Sequence, residues 1–166
     1  MRRLTLVAAA AALTLGLTAG PVAARQSGPT IVEAAIAVNA QTGEFDHLVA
    51  AVVRAGLVDT LNGNRQLTVF APTDAAFEQL FAALGVSGVS DIPVATLRAV
   101  LMYHVAPGER LSGDVVSSDR IRTLGGGFLA PSVHDGSAWI NDARIVAVDV
   151  DVANGVIHVI DKVLLP

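Results

Sequence analysis

The chain has no cysteine in 166 residues, and that absence removes several possibilities together. No disulfide can brace the fold, no lipidated cysteine can anchor it, and no thiolate nucleophile exists. Lysine is almost as scarce: Lys162 is the only one, and 11 basic residues face 15 acids. That balance is the opposite of a nucleic-acid-binding footprint, and an acidic surface is repelled by anionic lipid. The common enzyme signatures are missing as well: there is no Gly-x-Ser-x-Gly elbow, no P-loop lysine and no His-Glu-x-x-His. No two histidines stand at a zinc-ligand spacing. Asp149 and Asp151 alone fall far short of the roughly 6–8 oxygens that calcium takes. Neither a metal nor a cofactor is expected. There is also no Arg-Gly-Asp; Ser112-Gly113-Asp114 lacks the arginine and reads as a turn.

What is present begins with a leader. Arg2 and Arg3 precede the uncharged apolar run from Leu4 to Ala19, Gly20-Pro21 breaks it, and Val22-Ala23-Ala24 offers small residues to a signal peptidase. The run is shorter than the ~20 residues of a spanning helix. Residues 1–24 are therefore expected to be a cleaved signal peptide, with retention as a membrane anchor the alternative. Residues 25–29 form a short lead, and 30–166 a single domain. The mature chain, with nine basic residues against 15 acids, is expected outside the cytoplasm: secreted, periplasmic or at the cell surface. Without disulfides its fold must rest on apolar burial, for which the 52% hydrophobic content gives ample material.

The first half reads as helices around one strand. Thr30-Ile31-Val32-Glu33 is a capping box that starts a helix running to about Asn39. Phe45, Leu48, Val49 and Val52 recur at i, i+3, i+4 and i+7, and Gly56 stops that second helix. Leu67 to Phe70 reads as a strand ended by Pro72, after which Thr73 or Asp74 caps a helix facing the core with Phe77, Leu80, Phe81 and Leu84. Asp91-Ile92 caps a further helix opened by Pro93, whose buried side carries Leu97, Val100, Leu101 and His104 and which Pro107-Gly108 ends.

From Arg110 onward, short β-type runs alternate with turn residues. Gly125-Gly126-Gly127 reads as a flexible connection or a turn. Val146, Val148, Val150 and Val152 alternate with Asp149 and Asp151, so the valine face is expected inside and the aspartate face in water. Asn154-Gly155 between two β-branched runs predicts a type I′ hairpin. Helices first and strands later indicate an α+β domain.

Three of these segments carry a resemblance. Thr68-Val69-Phe70-Ala71-Pro72-Thr73-Asp74-Ala75-Ala76-Phe77 resembles the first signature box of the fasciclin domain family. Tyr103-His104 resembles the tyrosine-histidine motif between its boxes, and Asn154 to Pro166 the second box. Together they cover Thr30 to Pro166 in the family's order. The resemblance implies a fasciclin-like β-sandwich or wedge with several helices packed against it. It also implies a non-catalytic adhesion or interaction role, with a protein or polysaccharide of the cell surface or extracellular matrix as partner.

The residues themselves leave several roles open. His104 and His158 lie in apolar patterns, where a buried imidazole must be hydrogen-bonded; a polar network of Thr73, Asp74, His104 and His158 is expected to supply the bonds, through Asp74 or a backbone carbonyl. Tyr103 and His104 are also candidates for partner contact, as the resemblance implies. So are Asp149 and Val150, which stand where some family members carry an Asp-Ile adhesion motif. The rival functions are a small-ligand carrier or hydrolase built on His104, His158 and Asp74, and a structural envelope module with no dedicated ligand.

Overall fold

A computed structural model describes residues 28–166. The expected signal peptide, residues 1–24, and most of the lead lie outside the described residues. Six α-helices occur among the described residues, with a mixed sheet, so the fold is α+β as the sequence indicates. Helices α1 (Ile31–Thr42), α2 (Asp46–Arg54) and α3 (Val58–Leu61) precede strand β1 (Leu67–Pro72). Helix α4 (Asp74–Leu84), a 3₁₀ turn (Val89–Asp91) and helix α5 (Val94–Tyr103) follow, then β2 (Val105–Pro107) and α6 (Ser112–Ser117). The remaining strands are β3 (Ile121–Arg122), β4 (Phe128–Leu129), β5 (Pro131–His134), β6 (Ser137–Ile140), β7 (Ala143–Val152) and β8 (Gly155–Ile160).

Six strands form one sheet in the order β2-β1-β8-β7-β6-β5, while β3 and β4 pair separately. The two box segments are neighbours: β1 and β8 run parallel, from Leu67 opposite Gly155 to Pro72 opposite Ile160. All six residues of β1 are buried, which explains a run apolar on both faces. Leu67, Val69 and Ala71 join a core shared with α1, α2, α4 and α5. Phe70 points the other way, into a second core with Tyr103, Ile121, Leu129, Ile140, Ile160 and Leu164.

Local signals placed the early helices well. Thr30 and Glu33 form the capping box of α1, although that helix runs on to Thr42. Thr73, not Asp74, caps α4, its hydroxyl accepting from the Ala76 amide. Other expectations are corrected. Leu84 is exposed, because the last turn of α4 leaves the core. Asp91 does not cap α5; its carboxylate accepts from the Ser87 amide. His104 rather than Pro107 ends α5, since the next three residues pair antiparallel with β1 as β2. Ser112-Gly113-Asp114 is not a turn but the opening of α6.

The largest departures are in the last hairpin. Val146 and Val148 are exposed, not inside, because β7 carries register irregularities between Ile145 and Ala147 and between Ala147 and Val150. Asp149 has a φ of 56°, a left-handed conformation rare for a non-glycine residue. Such bulges reset the two-residue alternation, so a single face cannot be read through them. The turn is also different. Val152 pairs with Gly155, leaving Ala153 and Asn154 as the loop, and neither has positive φ; it is not type I′. That geometry occurs instead at Asp135 (φ 52°) and Gly136 (φ 75°), between β5 and β6.

Candidate functional site

The two histidines are both buried and both fully hydrogen-bonded, in opposite senses. His104, at the end of α5, is 2% exposed. Its Nδ1–H donates to the Val100 carbonyl at 2.7 Å, and its Nε2 accepts from the Leu164 amide at 2.9 Å. The helix end is thereby tied to the chain's last residues. Burial drives its pKa from 6.5 down to about 4, against the opposing bond to Val100, so the ring is neutral at pH 7. His158, on β8, stacks on Phe70 with ring centroids 5.6 Å apart. Its Nε2–H donates to the Arg110 carbonyl at 2.9 Å, while Nδ1 accepts from the Asp149 amide at 3.3 Å. Burial lowers its pKa too, opposed by the bond to Arg110 and the nearby Asp149 carboxylate.

His158 thus belongs to a link that spans the sheet. The Asp149 carboxylate accepts from both the amide and the hydroxyl of Ser112, each at 2.6 Å, at the start of α6. The hydrogen bond from the Ser112 hydroxyl is the main cause holding its carboxyl below the usual range. The bulge therefore turns one residue to two uses: its amide meets His158 and its carboxylate caps α6.

Both histidines find the backbone carbonyl that was one expected partner, but the side-chain network of Thr73, Asp74, His104 and His158 does not assemble. Thr73 caps α4. The Asp74 carboxylate accepts from the amides of Asp46 and His47 at the start of α2. Among the described residues, the rings of His104 and His158 bond only to backbone groups. The reason is local: a carboxylate beside the exposed amides of a helix start is stabilised there. A hydrolase or ligand site made of His104, His158 and Asp74 is accordingly ruled out.

Partner contact at Tyr103 and His104 is corrected for the same kind of reason. Tyr103 is 7% exposed, and its hydroxyl donates to the Phe128 carbonyl at 2.9 Å. The triple glycine is what lets the chain close over the ring. A Cβ on Gly127 would fall 2.5 Å from Tyr103 Cε2, and one on Gly125 would fall 3.0 Å from its amide nitrogen. The segment forms the turn between β3 and β4, as one of its two readings expected, and is packed against Tyr103 rather than free. Asp149 stays exposed, whereas Val150 is half-buried and lines an apolar groove.

Sequence reasoning missed two features of consequence. One is Asn154, 6% exposed, whose Oδ1 accepts from the Ile31 amide and whose Nδ2 donates to the carbonyls of Leu61 and Gly63. Turn chemistry explained this asparagine too easily, and its partners lie far away in the chain. The other is the groove, about 410 Å³ in volume, between α1 and the sheet. The small residues Ala34 and Ala35 were its one signal. Among the described residues there is no group of acidic and histidine side chains that could hold a metal ion, and no helix long and apolar enough to cross a membrane.

Comparison with known proteins adds four findings. The sequence pattern of the Fasciclin domain matches residues 43–166. The chain is 42% identical over 144 residues to Protein sll1483 of Synechocystis sp., spanning 87% of this chain and 77% of that protein. It is 36% identical over 122 residues to transforming growth factor-beta-induced protein ig-h3 of Sus scrofa, spanning 74% of this chain but 18% of that protein. Among solved structures, a FAS1 domain pair from the insect cell adhesion molecule Fasciclin I superposes with a TM-score of 0.68 at 19% identity. That likeness covers 83% of this chain and 51% of the other, and at such identity it is one of fold.

Proposed function

Because the chain belongs to the fasciclin domain family, we propose that it is an exported, non-catalytic interaction module that holds a protein or polysaccharide at the cell surface or in the surrounding matrix. The observation that carries the reading is the closure of both buried histidines. Their ring nitrogens are engaged by Val100, Leu164, Arg110 and Asp149, so neither imidazole is free to move a proton for a substrate. Membership of that family, shown by the match over residues 43–166, supports association as the activity.

The contact surface is the bulge of β7, where Asp149 is exposed and the half-buried Val150 beside it lines the groove. A carboxylate next to an apolar side chain suits a partner with a donor or cation beside an apolar group. The test is capture from surface extracts and on a glycan array, comparing the wild-type chain with an Asp149→Ala, Val150→Ser variant. Capture of one defined partner by the wild type, lost in the variant at matched folding, supports the reading. Equal capture by both removes these residues from it. No capture by either favours a structural envelope module.

A further inference from the structure

Helix α1 is fastened firmly at its ends and thinly packed between them. At its start the Thr30 hydroxyl accepts from the Glu33 amide, and Asn154 accepts from that of Ile31. At its end Asn39 accepts from the Phe45 amide and donates to the Asp46 carboxylate. Between these anchors the helix offers Ala34 and Ala35 to the sheet, and the sheet answers with Ala71 and Ala147. Four methyl groups do not fill the space, and the groove of about 410 Å³ is the result. That volume lies within the roughly 300–1,000 Å³ of small-molecule sites.

Two details give the space a shape. A narrow second cleft of about 30 Å³ lies against the same helix and shares Ala35, Ala71 and Ile157 with the groove. Their linings together run along α1 from Ile31 to Val38, which makes an apolar channel beside the helix. Neighbouring residues of a regular strand face opposite ways, yet Val146 and Ala147 both line the groove. The irregularity in β7 between Ile145 and Ala147 makes that possible.

Two polar residues border the groove, the half-buried Thr73 and the exposed Glu44. The Thr73 hydroxyl is engaged with the Ala76 amide. The Glu44 carboxylate has no hydrogen-bond or ionic partner among the described residues, although its backbone N–H and carbonyl are bonded to Thr42 and Asp74. An apolar channel with one free carboxylate selects by charge. It favours a donor or cationic end group and opposes a carboxylate.

We infer that the channel under α1 is a binding site for a slender apolar molecule ending in a hydroxyl or ammonium group, with that end held at Glu44. The groove shares Val150 with the contact surface proposed above, but the inference rests on Glu44 and the space under α1 rather than on a macromolecular partner, so either survives failure of the other. Three ligands of one chain length test it: dodecylamine, dodecanol and dodecanoate, each titrated calorimetrically into the purified full-length chain below its aggregation concentration. The amine and alcohol bind one per chain, and dodecanoate binds at least about tenfold more weakly. Glu44→Gln brings dodecanoate to within about threefold of the alcohol, whereas Asp119→Asn, at another exposed carboxylate, leaves the gap open. Ala147→Trp, at an exposed position, weakens all three ligands while the unfolding midpoint stays unchanged. Equal binding of the three end groups by the wild type overturns the inference. So does closure of the gap by Asp119→Asn, which makes it an effect of net charge, or full binding by Ala147→Trp. Absence of saturable binding, with a dimer that Ala147→Trp dissociates, assigns the groove to a second copy and overturns it too.

Discussion

Replacing Gly155 with alanine separates two explanations of the final hairpin by their size. If a tight turn alone requires glycine there, the penalty is that of a left-handed φ, about 1–2 kcal/mol for an added Cβ. The structure sets a second and larger demand. Gly155 pairs with Leu67 in the parallel ladder, and a Cβ on it would lie 1.8 Å from the Leu67 carbonyl oxygen and 2.8 Å from its carbon. Those atoms are backbone and cannot rotate away, so β1 and β8 must part. The φ of 153° adds about 1–3 kcal/mol, and forced separation of packed backbone adds a further ~1–3 kcal/mol. A total of about 2–6 kcal/mol is a large share of the ~5–15 kcal/mol that holds a domain folded. Gly136→Ala is the internal reference: φ is 75°, but nothing lies within 4 Å of its Cβ, and about 1 kcal/mol is expected. Gly155→Asn sharpens the comparison, because asparagine tolerates a turn's left-handed φ but not a crowded Cβ. Urea denaturation at constant m gives the three differences directly. A cost for Gly155→Ala no greater than that for Gly136→Ala, or a near-neutral Gly155→Asn, refutes the close-approach argument.

Other outcomes follow from the same geometry. Asn154→Ala leaves the Ile31 amide and the Leu61 carbonyl unpaired inside the fold; about 2–4 kcal/mol is lost, with faster hydrogen exchange at Ile31, and a loss under about 0.5 kcal/mol refutes the clamp. Stability falls in acid: His104 has a folded pKa of about 4 against 6.5 unfolded, so its contribution is complete above pH 6.5 and is lost as pH falls toward 4. The magnitude is on the order of 3 kcal/mol, His158 acts in the same direction, and His104→Gln should flatten the denaturation profile across that window. Nitrogen-15 NMR at neutral pH should find His104 protonated on Nδ1 and His158 on Nε2; a shared tautomer contradicts the bonds assigned to them. Tyr103→Phe removes one hydrogen bond to Phe128 and costs about 1 kcal/mol, leaving partner capture unchanged.

Much of the fold was legible because its signals are local. A hydroxyl three residues before a glutamate, an apolar residue every third or fourth position and a proline after a β-branched run each describe a few neighbouring residues. The structure honours them at Thr30, along Phe45–Val52 and at Pro72. The candidate site was legible only in part. His104 and His158 were picked out as polar groups in apolar surroundings, but their partners are backbone atoms of Val100, Leu164, Arg110 and Asp149, which no side-chain pattern marks. Asp74 was assigned to the wrong partner because the start of α2 lies beside it only in the folded chain.

By itself the sequence determined α1, α2, β1, α4 and α5, though not α3 or β2, together with the α+β class and, through its three box segments, the family. Each depends on residues close together or on a pattern matched along the chain. Tertiary structure alone decided which face of β7 is buried, since a bulge at Asp149 resets the alternation once Ser112 and His158 claim that residue. It also decided the use of Asn154-Gly155. The pair that reads as a turn is instead a clamp on α1 and a gap for β1, because Ile31, Leu61 and Leu67 are brought against it only by folding.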